Sequence, residues 1–416
     1  MIRHVCKLIW HRKRTNLLLM IEIFFSVLVL FGVSALAVYT AENWRRPIGF
    51  TPDNLWVVDV DMRVTTDDTF TASQVETMRL VLAAAREVPE VEKVAGALLP
   101  PYTMGASITA LSRAGRPVEF GVNEVTDEFK DVLGLHIVQG RWFGREDDGA
   151  SYRPVVINAE MAAGLFPGQD PIGQNLTAEQ RPGADSREGS RTGPGEREQR
   201  VVGVVAAYRE DGEVDGQAWQ ALYRKPLTDT DPSVRENRPP GTLILRMREG
   251  TTAAAEEPLL KHLQAAARAW AFSVKPVHES RASMIAFAIA PVAAVGLVAG
   301  FLMLMVAMGL TGVLWQSVTQ RTREIGLRRA KGAERTQVQR QILGELVVMT
   351  SMAVGVAAVL VAQVPIISPF YWVETHVYTV GFIMAAATIY LLTLVCGWYP
   401  SRLATRVEPA EALRYE

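Results

Sequence analysis

Cysteine is nearly absent. Cys6 and Cys396 are the two in 416 residues, and none lies in the long segment between them. No disulfide framework can form there, so an oxidising compartment is neither required nor excluded. No Gly-x-x-x-x-Gly-Lys-Ser/Thr phosphate loop occurs, and these residues are not expected to hydrolyse ATP alone. His-Glu-x-x-His and Gly-x-Ser-x-Gly are missing too, which removes the sequence basis for a zinc protease or a serine hydrolase. His136, His262, His278 and His376 are widely separated, and neither a catalytic nor a metal cluster is expected from them.

Apolar residues are plentiful. They make up 49% of the chain, and the mean hydropathy of +0.11 lies between values for wholly soluble and wholly membrane-embedded proteins. That points to apolar spans plus a water-soluble domain large enough to bury a core. A hydrocarbon layer about 30 Å thick needs roughly 20 apolar residues in helix. Residues 17–38, 284–314, 342–364 and 378–396 meet that test. The second stretch exceeds one span, so its outer end is expected to continue as a stalk or to tilt. The first is expected to stay as an anchor, because its apolar run exceeds the roughly 7–15 residues of a signal-peptide core.

Basic residues beside the spans set the expected orientation. The N-terminal tail, 1–16, carries Arg3, Lys7, Arg12, Lys13 and Arg14 without an acid. The 315–341 loop holds Arg321, Arg323, Arg328, Arg329, Lys331, Arg335 and Arg340 against Glu324 and Glu334. The short loop at 365–377 has no Lys or Arg. Both basic segments and the tail at 397–416 are therefore expected in the cytoplasm, with residues 39–283 outside. That outer segment holds 36 acidic against 28 basic residues, which argues against a nucleic-acid partner and against electrostatic docking on anionic lipid.

Within the outer segment, residues 53–100 read as strand, helix, strand. Leu55–Val60 is β-branched and aromatic; Val75, Met78, Leu82 and Ala85 give residues 73–88 a helical period; Val91–Leu98 follows Pro89 as a strand. Ser73 and Glu76 are expected to form the helix's capping box. Residues 241–280 repeat the order, with a helix over 257–270 between strands at 243–247 and 272–277. Two such units suggest a split ferredoxin-like α+β subdomain. The insert at about 101–240 has strand-like runs at 118–122, 154–157 and 201–205. Its stretch at 177–200 is almost devoid of apolar residues and is expected to be a mobile loop. The expected fold is a membrane protein of four transmembrane α-helices with a large α+β extracytoplasmic domain.

Three further features bear on function. Glu22 is a carboxylate within a span; it either snorkels to the cytoplasm or contacts a partner helix. Gly296-x-x-x-Gly300 would allow close backbone approach in the second span. Asp147-Asp148 could touch a cation, but a solvated turn is the expected reading. The 320–341 segment is more ordered than a positive-inside loop requires. Ile325 and Leu327 sit among arginines in a run that ends at Gly332, as in a short amphipathic helix on the membrane face that could dock a cytosolic partner.

That loop resembles the cytoplasmic signature of the MacB/FtsX permease family. Arg321, Glu324, Ile325, Gly326, Arg329, Ala330, Gly332 and Ala333 match it, and Lys331 departs where an apolar residue is usual. Pro409 and Ala412-Leu413-Arg414 match the family's ending. In the outer segment Gly134-Leu135, Gly140–Phe143, Asp147-Asp148, Pro154–Asn158, Leu165–Pro167, Pro171–Gly173 and Val202–Val205 follow the order of a MacB-type periplasmic domain. The resemblance implies a bacterial inner-membrane ABC transporter permease working by mechanotransmission. ATP and magnesium would be bound by a separate cytosolic ATPase dimer, which would act on Arg321, Arg323, Glu324, Ile325, Gly326, Arg328, Arg329 and Gly332. A second permease, identical or a sibling, and a periplasmic partner or adaptor are also implied. The competing reading is a membrane-anchored sensor or receptor whose outer domain binds a ligand; a membrane-anchored surface enzyme lacks a recognisable constellation.

Overall fold

The computed structural model describes residues 13–62, 70–105, 107–113, 116–176, 197–214, 216, 219–228, 237–320, 327, 334–367 and 373–404. They form two units, Asn43–Ala288 and Met1–Glu42 with Ile289–Glu416. In chain order the principal elements are α1 (Lys13–Arg45), β1 (Leu55–Asp61), α2 (Ala72–Glu87), β2 (Val91–Ala97), β3 (Ile108–Arg113), β4 (Arg116–Val125), α3 (Phe129–Leu133), β5 (Ile137–Gly140), β6 (Tyr152–Asn158), α4 (Ala159–Leu165), β7 (Glu198–Val205), β8 (Gln220–Arg224), β9 (Thr242–Met247), α5 (Glu256–Ala266), β10 (Ala271–Pro276), α6 (Val277–Gln320), α7 (Arg335–Val361) and α8 (Thr375–Ala404).

The unit Asn43–Ala288 is built on one ten-stranded sheet ordered β10-β1-β9-β2-β4-β8-β6-β7-β5, with β3 paired to β4. Its first four strands alternate in direction, and β9 lies between β1 and β2. This is the split β-α-β arrangement anticipated from residues 53–100 and 241–280. Both faces of β1 and β9 are covered, so these two strands are apolar on both sides. Trp56, Val58 and Val60 of β1, with Leu243, Leu245 and Met247 of β9, join α2 and α5 in one core. Leu55, Val57 and Ile244 face a second core holding Phe129, Val132, Leu133 and Tyr208.

Helix α2 buries Val75, Met78, Val81, Leu82 and Ala85. Its capping box is not the expected Ser73–Glu76 pair. The chain is extended at Thr71, whose side chain accepts from the Gln74 amide while its own amide donates to Gln74 Oε1 at 2.8 Å. Helix α2 therefore starts one turn before Glu76, which pairs with Arg79 at 2.9 Å. Helix α5 ends at Ala266 rather than 270, because Ala267 N closes on Leu263 O and Trp270 turns into the core.

The insert's expected strands are β4, β6 and β7. Strands β3, β5 and β8 were not expected. A third core of Phe120, Val122, Val155, Ile157, Met161, Leu165, Val201 and Val204 forms around them. The two halves of the sheet meet through a single ladder pair, Ala97 with Val125. Leu98 N to Glu124 O at 2.9 Å and Thr126 N to Gly96 O at 3.0 Å reinforce it. The mobile loop expected over 177–200 ends earlier than expected: Glu198, Gln199 and Arg200 pair with Tyr152, Arg153 and Pro154. Its remainder, 177–196, lies outside the described residues.

The other unit contains helices long and apolar enough to cross a membrane, four in all among the described residues. Each outruns the apolar stretch read from the sequence. At about 1.5 Å per residue, the 44 residues of α6 exceed the thickness of a bilayer core. Leu19, Ile23, Val27, Val306, Leu310, Leu346, Met349, Ala353, Ala357, Ala385 and Ile389 form the unit's interior. Thr350 and Thr393 hydroxyls meet at 3.2 Å between α7 and α8.

The cap assignment is directly testable in the full chain in detergent. Thr71→Ala should destabilise by about 1 kcal/mol, and Ser73→Ala by less than about 0.5 kcal/mol. Chemical unfolding followed by tryptophan fluorescence reads both; the reverse order would return the cap to Ser73.

Candidate functional site

Among the proposed ATPase-coupling residues, Arg321, Arg323, Glu324, Ile325, Gly326, Arg328, Arg329 and Gly332 lie outside the described residues. Around them, α6 remains helical to Gln320, Leu327 is helical and exposed, and α7 begins at Arg335 after an extended Glu334. The expected loop at 315–341 is therefore helical at both ends.

Glu22 lies against the second span. A Cβ built on Gly309 would stand 2.8 Å from Glu22 Oε2, so the missing side chain at Gly309 is what admits the carboxylate. Gly296 and Gly300 have nothing within 4 Å of such a Cβ among the described residues. The close approaches occur instead at Gly309, at Gly381 on Ala35, and at Gly397 on Leu343 and Leu346. Spacing alone could not separate these glycines. At the outer end, His376 Nε2 meets Glu42 Oε1 at 2.8 Å and Nδ1 meets Glu374 Oε2 at 3.2 Å.

In the sheet unit, Asp147 is buried, whereas Asp148 lies in the exposed turn expected there. The cations they touch are arginines. Arg141 reaches Asp147 through two bonds of 2.8 and 2.6 Å. Arg224 binds both oxygens of Asp127 at 2.8 Å and Asp148 at 2.8 Å. Burial alone would raise the Asp147 carboxyl, but the Arg141 guanidinium and the Gly144 amide hold it below the usual range. Burial raises Asp127, with Arg224 opposing. Deeper in the insert, Glu124 is shared by Arg153 at 3.2 Å and Lys225 at 3.0 Å. Among the described residues no three His, Cys, Asp or Glu side chains converge to hold a metal.

A further polar group involves the first turns of α6. Arg281 pairs with Glu213, which also accepts from the Tyr102 hydroxyl at 2.9 Å. Burial raises the Tyr102 hydroxyl, and the Glu213 carboxylate reinforces it. Burial pushes Glu213 up, yet Arg281, a backbone amide and Tyr102 bring it below its ordinary value. No sequence pattern marked Tyr102, Glu213 or Arg281.

Removing the buried partner of Arg141 by Asp147→Asn should cost about 2 kcal/mol at neutral pH. Because the folded pKa is depressed, this contribution is complete above the unfolded value near 3.9 and disappears as pH falls through the folded one. The gap between wild type and variant should therefore narrow as pH falls from 7 to 3. A constant gap would rule out an ionised Asp147 as its source.

Residues 17–262 match the family model of the MacB-like periplasmic core domain, and residues 296–409 that of the FtsX-like permease C-terminal. The chain is 25% identical to the macrolide export ATP-binding/permease protein MacB of Agrobacterium fabrum, over 97% of this chain and 59% of that protein. It is 24% identical to the uncharacterized ABC transporter permease YvrN of Bacillus subtilis, over 75% of this chain and 73% of that one. The chain thus spans 59% of the length of the Agrobacterium relative. The crystal structure of the periplasmic region of MacB from Actinobacillus actinomycetemcomitans aligns at 14% identity and a TM-score of 0.36, covering 58% of this chain and 97% of that one. The first family model alone spans more than half of the sequence, and with the second it places this chain in the MacB/FtsX-like family of ABC transporter permeases.

Proposed function

We propose that the chain is a mechanotransmitting permease subunit. ATP and magnesium bind a separate cytosolic ATPase dimer; its closure pushes on the basic segment around Arg321–Gly332, and α6 carries the displacement to the sheet unit. Both termini and the basic segment lie in the cytoplasm of a bacterial inner membrane, with the sheet unit outside. The moving domain expels a substrate or switches a periplasmic partner.

One observation carries this reading. Strand β10 ends at Pro276, α6 begins at Val277, and that helix, with Pro291 inside it, runs to Gln320, beside the basic segment. A displacement at one end therefore has a continuous covalent path to the sheet, along a helix that lacks one rung of its hydrogen-bond ladder at Pro291. A second permease is supported by α6 as well. Only 11% of its apolar window is buried within the chain, against 28–33% for the other three spans, and Gly296 and Gly300 stand open. Lipid covers what the second copy or sibling does not.

Arg328→Glu combined with Arg329→Glu should leave membrane insertion intact and lower permease-dependent ATPase activity by about fivefold or more, or prevent assembly. Purified complex in nanodiscs gives both readouts. Unchanged assembly and unchanged coupling would overturn the role assigned to this segment.

A further inference from the structure

Both helices that continue into the apolar spans end on one short segment of the sheet unit, residues 206–214, which follows β7. At the end of α1, Arg209 Nη1 donates to Asn43 O at 2.8 Å. Both residues are buried. Asn43 lies in the last turn of α1, where carbonyls lack helical partners and the helix dipole favours a cation. The following residues hug the same segment: Arg209 N donates to Ile48 O at 3.1 Å. A Cβ on Gly49, at φ +87°, would stand 2.0 Å from Ala207 O, so no side chain fits. At the start of α6, Arg281 grips Glu213.

The segment also holds a surface loop. Tyr102 OH donates to Glu213 Oε2 at 2.9 Å, and Tyr102 N donates to Glu210 O at 3.0 Å. Asn123 Nδ2 bridges Glu210 Oε1 and Leu99 O, both at 2.8 Å. Gly212, at φ +58°, leaves space for the Tyr102 ring that a Cβ would fill at 2.4 Å from the hydroxyl. Tyr208 is fully buried between the rings of Phe50 and Phe129. The loop so held, residues 98–105, presents Met104 at 79% exposure, the most exposed large apolar side chain of the sheet unit among the described residues.

We propose that residues 206–214 are the transmission element of the outer domain: Arg209 takes up the end of α1, Glu213 takes up α6 through Arg281, and Tyr102 passes their displacement to the 98–105 loop. This rests on the mechanotransmission reading above and assigns it positioning residues and an output surface. Charge-assisted bonds suit the task. Arg281–Glu213 is worth more than a neutral contact, and Tyr102 has one hydroxyl committed to the same carboxylate, so moving α6 moves the loop's anchor.

The test is hydrogen exchange of the full chain in nanodiscs with its ATPase, with and without a nonhydrolysable ATP analogue and magnesium. In wild type, peptides covering 277–290 and 98–105 should both respond to nucleotide. In Arg281→Ala and in Tyr102→Phe, the 277–290 response should persist while that of 98–105 falls about fivefold or more. Tyr102→Phe removes only a hydroxyl, so it keeps the test open if Arg281→Ala fails to fold. The exchanged pair Glu213→Arg with Arg281→Glu should restore the loop response, which a merely structural role would not require. A wild-type-sized loop response in Arg281→Ala or Tyr102→Phe would overturn the linkage. A wild type in which neither peptide responds would overturn mechanotransmission itself, and the linkage with it.

Discussion

The pairing of β1 with β10 is the constraint on which the rest of the outer domain depends. Their register runs from Trp56 opposite Pro276 to Asp61 opposite Ala271. The first strand therefore starts where the last one ends, and the chain comes into and leaves the sheet side by side. Val277, the first residue of α6, is fully buried in the same core as Phe50 and Leu55. A helix rooted in a packed core cannot shift without disturbing that core, because interiors are close-packed and yield little. The split β-α-β topology thus does more than make a stable domain; it gives the sheet two adjacent handles.

The insert is held differently. Strand β8 lies between β4 and β6, yet it carries Gln220 and Arg224 and is followed by Lys225, all buried. Burying such groups is costly unless each charge is met. Here Arg224 has two carboxylates, and Glu124 is shared by two cations. Net gain over apolar packing is small for pairs of this kind. Their geometry, however, holds only with Val125 opposite Arg224. A slip by one residue would turn Arg224 away from Asp127 and strand both. The single ladder pair between the halves of the sheet, Ala97 with Val125, abuts this cluster.

Much of this was legible in the sequence where the signal is local. The four spans follow from apolar length, and the two β-α-β units from a period of 3.6 between β-branched runs. Most of the misses depend on partners distant in sequence, and the rest on local backbone or on shortness. Gln-Ala-Leu-Tyr-Arg at 220–224 has no alternation, because it is buried on both faces and its terminal Arg224 is met by Asp127 and Asp148. Ile137–Gly140 is a four-residue edge strand, too short for any period. Thr71 and Ser73 are both good caps by residue type, and only the extended backbone at Thr71 decides between them. Gly309 and Gly296 likewise differ only in what faces them. The Arg281–Glu213–Tyr102 line joins residues as many as 179 positions apart and no sequence pattern marks it.

Whether nucleotide binding moves the sheet unit can be read from one distance. With Cys6→Ser and Cys396→Ser as background, spin labels at Lys261→Cys on α5 and Val359→Cys on α7, both exposed positions, report the separation of the sheet unit from the third span by pulsed electron resonance. Mechanotransmission predicts that the distance distribution of the complex in nanodiscs shifts when a nonhydrolysable ATP analogue binds. Superimposable distributions from a sample that hydrolyses ATP at the wild-type rate would contradict it.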